Sequence, residues 1–314
     1  MALTPVVSCS HPELPSLADP TSTVALTAPT ADGAPTAPRT PEILSDGAAP
    51  RRALRFELRP GQRVVVAVTT DLSLTQVGKP RDHSIEPPPV TQTIEYRVRS
   101  VAADGATVSF RIVDIVADTS NAAEDATAVL QLTKALRPVV GTTGSGHIDP
   151  LGRFSSVRFD LPSGLPAAVR DRIQSLPAQM AQLLPQLPRE PVGVGGSWRS
   201  IDRFVVAGVA LTHRSTFTVI SQEGSLLRYR VNLSARAGRQ ALPTAALGAG
   251  TTVELRSSTL RGTGTGTVDL ASLTNSAFTE ASGRQNLIVS AENEPVEELV
   301  QRLHLSVRVR AGGP

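Results

Sequence analysis

The chain holds a single cysteine, Cys9, in 314 residues. That excludes an intrachain disulfide and any zinc site built from several cysteines. Aromatic residues are 3% of the chain, which leaves little material for stacking nucleobases. Lysine occurs only at Lys79 and Lys134, so arginine carries the positive side of a net charge of +3. The arginines are scattered along the chain with acidic residues among them, and no basic segment points to nucleic acid. No run approaches the ~18 consecutive apolar residues of a membrane span. HExxH, GxSxG and a GK[ST] phosphate loop are all missing, so the common zinc-hydrolase, nucleophile-elbow and nucleotide signatures do not apply. The histidines are His11, His83, His147, His213 and His304, and none has an obvious acid partner in sequence. Asp82, His83 and Glu86 are close enough for a metal, but such a polar trio in a loop is read as surface. The chain is therefore expected to be non-enzymatic, with no cofactor and no metal.

What is present is Ala, Val, 24 glycines and 25 prolines, a composition of GC-rich coding. Val6-Val7-Ser8-Cys9 resembles a bacterial lipobox, in which the cysteine becomes the lipidated N-terminus. The basic start and apolar core of a signal peptide do not precede it, which an upstream start codon would explain. Residues 1–9 are read as this remnant. Residues 10–50 are rich in Pro, Thr, Ala and Ser and are read as a tether that buries too little apolar surface to order itself.

From Leu54 the pattern becomes that of strands. Leu54–Leu58, Arg63–Val68, Ile94–Val98 and Thr107–Ile115 alternate apolar and polar residues. Strands are also expected at 128–140 and 145–160, with an irregular loop at 76–90. After Trp198, strands are expected at 203–207, 216–220, 226–233, 252–256, 285–289 and 303–310. Between the two sets lies the strongest helical signal. Leu165, Val169, Ile173, Leu176, Met180, Leu183, Leu184 and Leu187 recur at steps of mostly three and four residues, which aligns them on one helix face. Pro177 kinks or divides this helix.

The two β segments repeat one another. Gly144, Gly146 and Asp149 match Gly264, Gly266 and Asp269 at an offset of 120, and Asp104-Gly105 matches Glu223-Gly224 at 119. The expected fold is mainly β: two repeated antiparallel meanders, at 51–162 and 191–314, joined by the amphipathic helix of 163–190. They form a curved sheet, a barrel or a sandwich. Glycines inside strands mark bulges or close backbone approach. Asp149 and Asp269 cap the turns that follow. Trp198 is read as a core plug or as the wall of a ligand cavity.

Three segments resemble a family of uncharacterised bacterial envelope proteins, many of them lipoproteins. They are Pro191–Trp198 (PVGVGGSW), Pro60-Gly61-Gln62 and Gly264–Asp269. The resemblance spans roughly 52–290 and implies an envelope location and a β fold, with no activity attached. A looser architectural similarity is to curved-sheet lipid carriers of the envelope. The functional expectation is an extracytoplasmic lipoprotein, attached to the membrane surface through Cys9 alone. It would hold an apolar, lipid-like ligand against Leu165, Val169, Ile173, Leu176, Met180, Leu183, Leu184 and Trp198. The alternative is a structural or protein-interaction module using sheet edges or the 76–90 loop.

Overall fold

The computed structural model describes residues 40–77, 82–118, 126–160, 184–206, 209–242, 251–291 and 296–312. Cys9 and the helical stripe Leu165–Leu183 lie outside them.

The first meander contains β2 (Arg63–Val77), β3 (His83–Ile85), β4 (Val90–Ala102), β5 (Gly105–Ala117), β6 (Thr143–Ile148) and β7 (Phe154–Asp160). The second contains β8 (Ser197–Val206), β9 (Val209–Glu223), β10 (Leu226–Ala237), β11 (Gln240–Leu242), β12 (Thr252–Asp269), β13 (Asn275–Ser290) and β14 (Glu297–Ala311). A short β1 (Glu42–Ser45), inside the stretch read as tether, precedes both and pairs with β8. All of these join one antiparallel sheet in the order β1-β8-β9-β10-β12-β13-β14-β2-β4-β5-β6-β7, with β3 beside β2 and β11 beside β12. β14 joins the halves by pairing with β2 from Val300↔Val77 to Ala311↔Val66. The sheet does not close, because it ends at β1 on one side and β7 on the other.

The sheet must curl strongly, because same-face residues from strands far apart in that order share one core. Tyr96, Phe110 and Ile148 from the first meander cluster with Trp198, Phe217, Tyr229 and Val309 from the second. Eight of the ten aromatic residues belong to this cluster or pack on it. Leu54, Phe56 and Leu58 enter the core from a segment that alternates as expected but joins no ladder. The Phe56 N–H donates to Pro150 O (2.8 Å) and the Glu57 N–H to Leu270 O (2.7 Å), tying this segment to both meanders.

The two turns expected to correspond fall differently along their strands. β5 begins at Gly105 and β10 at Leu226, an offset of 121. The turn glycines are therefore not equivalent: Gly105 opens a strand, whereas Gly224 lies within the turn. The caps hold. Asp149 accepts from the N–H groups of Leu151 and Arg153, both at 2.9 Å, and Asp269 from that of Ala271 at 3.0 Å. The strand glycines allow close approach, since a Cβ at Gly144 would strike the Phe110 ring and one at Gly266 the Tyr229 ring.

The expected strand at 128–140 is instead helix α1 (Ala126–Leu136) followed by a 3-10 turn at Arg137–Val139. Val129, Leu132, Leu136 and Val139 are spaced by three, four and three residues. They pack as one face on Ile112, Ile115 and Ala117 of β5. A short apolar run reads equally as strand or helix until a partner surface decides. The expected single strand at 145–160 is two, β6 and β7, divided by the turn that Asp149 caps. The 76–90 stretch contributes ladder residues through β3.

Candidate functional site

The inner face of the long strands β12, β13, β14 and β2 carries two apolar clusters with a different zone between them. At one end is the main core, with Val66 and Val309. At the other is a smaller cluster of Val209, Ala237, Leu255 and Leu287, with Leu299 packed on it. Ladder register places the intervening side chains on the same face. Leu305 stands opposite Leu72, and Leu303 opposite Leu74. Leu303 also faces Gly283, which faces Leu260. All five leucines are half-buried and belong to neither cluster. Glycine and alanine at 262, 281 and 283 keep the floor low beside them.

Next to this leucine strip runs a polar row in register: Ser258, Gln285, Gln301 and Gln76. Ser258 is buried and the three glutamines are half-buried. Alternation would put apolar residues there, as it does on either side. None of the three glutamine amides makes a side-chain hydrogen bond among the described residues. The zone thus offers apolar contact along one strip and amide donors and acceptors along its border.

Of the residues expected to line a ligand site, Leu184 and Trp198 are described. Leu184 borders a cavity of about 20 Å³ together with Val66, Tyr96, Phe154, Leu273, Asn275 and Val309. That volume suits one water molecule. Trp198 is fully buried in β8. Its indole stacks on Phe217, centroids 5.4 Å apart, and donates from Nε1 to Gln186 O at 2.6 Å. The glycines before it let the chain cross closely: a Cβ at Gly193 would strike Ala48 O, where the Ala48 N–H donates to Val194 O at 2.8 Å. This accounts for the spacing of PVGVGGSW by packing. The leucine strip and glutamine row were missed because Leu72, Leu74, Gln76, Ser258, Leu260 and Gln301 lie outside the expected spans of β2, β12 and β14, and because no single segment shows cross-strand register. The signal available was the repeated Leu-x-Leu in Leu72–Leu74 and Leu303–Leu305.

Cross-strand pairing also makes two acid–histidine pairs that linear spacing did not show. Asp202 of β8 stands opposite His213 of β9 on the inner face. The Gln186 amide donates to both Asp202 oxygens, at 3.2 and 3.3 Å. Burial pushes the His213 pKa down, and the Asp202 charge opposes this without reversing it. On the outer face, Ser282 Oγ lies 3.1 Å from His304 Nδ1, and His304 Nε2 lies 3.3 Å from Glu280 Oε1. That order matches a nucleophile, base and acid. It sits on an open sheet face, however, where the neighbouring backbone N–H groups serve the ladders and leave no donors for an oxyanion.

Comparison with protein-family models and with curated proteins gives no match.

Proposed function

We propose that this protein is a non-enzymatic, extracytoplasmic lipoprotein that holds an amphipathic, lipid-like ligand on the inner face of its curved sheet. The carrying observation is the pairing of the leucine strip with the half-buried glutamine row across four adjacent strands. Acyl carbons would lie over Leu72, Leu74, Leu303 and Leu305. A polar end would bond to the amides of Gln76, Gln285 and Gln301. Cys9 would carry the membrane anchor.

Native mass spectrometry of the full chain from a bacterial host, with solvent extraction, tests this. The expected result is a discrete added mass that moves into organic solvent. Leu74→Gln with Leu303→Gln should remove that mass and leave the far-ultraviolet circular dichroism unchanged. A clean wild-type mass would overturn the reading. The second reading, a protein-interaction module of the envelope, would then lead. It is favoured by the outer edge of β7, which carries no strand partner among the described residues and is open to an added strand.

A further inference from the structure

The outer face of the sheet gathers arginines that are far apart in the chain. Arg203 of β8 stands in register with Thr212, Arg236, Thr259, Arg284, Arg302 and Thr75 on successive strands. The adjacent row contains Arg214, Ser234, Arg261, Ser282, His304 and Ser73. Six neighbouring strands, β8, β9, β10, β12, β13 and β14, thus each contribute one arginine to a zigzag band. Neighbouring strands lie about 4.8 Å apart, so the band is roughly 24 Å long. All six arginines are exposed.

The band has no carboxylate in either row. Glu280 lies in the next row beside His304. Glu254 and Glu298 are engaged by arginines outside the band, Arg239 and Arg256. Among the described residues none of the six arginines has an acidic partner, and only Arg284 makes a side-chain hydrogen bond, to Asn286 at 3.1 Å. Arg284 and Arg302 stand directly opposite each other. Like charges in that position disfavour folding, and an anion laid across them would relieve the repulsion. Between the arginines the side chains are Ser and Thr apart from His304 and, opposite Arg214, the half-buried Ile201.

We infer that this band is a docking surface for a linear acidic polysaccharide, a polymer with a carboxylate or sulfate on successive sugar units. Guanidinium groups pair with such anions through two parallel hydrogen bonds, which lysine does not offer. The hydroxyls of Thr212, Ser234 and Thr259 match sugar hydroxyls as donors and acceptors. The strand spacing is close to the length of one sugar unit. Neither row has a Phe, Tyr or Trp, which argues against stacked bases. Neither has an exposed large aliphatic residue for insertion into a bilayer.

The test uses the full chain with polygalacturonate and heparin as probes. Neutral dextran, phosphatidylglycerol vesicles and poly(dT) serve as comparisons. Wild type should bind the acidic glycans, with affinity falling steeply as salt rises, and should not bind dextran. Arg236→Glu with Arg261→Glu and Arg284→Glu should weaken glycan binding by about tenfold or more, the sum of three lost charge pairings. Arg97→Glu with Arg111→Glu and Arg158→Glu makes the same change in net charge off the band and should stay within about twofold. All six positions are exposed, and thermal melts of both variants check that each is folded before binding is compared. Equal weakening in both variants would overturn the inference, as would tighter binding to vesicles or poly(dT) than to either glycan.

Discussion

His213 stands between the sheet interior and Asp202, and burial keeps its pKa below the ordinary imidazole value. The unfolded chain therefore takes up this proton first as pH falls. Stability present above about 6.5 is lost as pH drops from there toward the folded-state pKa. Urea midpoints should decline between pH 7.5 and 5.5, and His213→Gln should flatten the decline. A variant that keeps the full wild-type slope would show that another group titrates. Asp269 does not interfere. Burial raises its pKa, hydrogen bonds from Ser225, Ala271 and Ser272 outweigh that, and the net shift is downward. Its contribution is lost only as pH falls below the carboxylate range.

Helix α1 shows at the scale of one element how a local signal becomes structure. Its own sequence admits either period. Its place over Ile112 and Ile115 of β5 selects the helix, because only that conformation buries Val129, Leu132 and Leu136 together. Leu136→Ala should cost about 2–5 kcal/mol in urea unfolding, the range for removing a fully buried leucine. Leu130→Ala, at a position 70% exposed, should cost under about 0.5 kcal/mol. Similar costs at the two positions would mean that the helix does not pack on β5. The strands were easier to read, since alternation survives whatever lies on the inner face. Their lengths were not, since the ends of β12 and β13 run through glycine, serine and threonine that carry no period.

The whole molecule behaves as one body if β14 and the shared core do what their contacts imply. Trp198 reports on the second meander, and amide exchange in β4 and β5 reports on the first. Both should be lost in a single transition with one midpoint, because Tyr96, Phe110, Trp198 and Tyr229 belong to one cluster and β14 pairs with β2 along twelve residues. Two separated midpoints would mean that the meanders fold independently.

The residues alone determined that this is a mainly β protein, and that Asp149 and Asp269 cap turns. Each is a local property, set by period-2 alternation or by a side chain bonding its own backbone two residues on. The tertiary structure decided which strands become neighbours, and so which side chains meet. Arg203, Arg214, Arg236, Arg261, Arg284 and Arg302 are scattered in sequence, yet the meander stacks their strands and lines them up on one face. The same stacking sets Leu72 and Leu74 against Leu305 and Leu303, and pairs His213 with Asp202. Register between strands is a long-range property of hydrogen-bonded ladders, and no single segment encodes it.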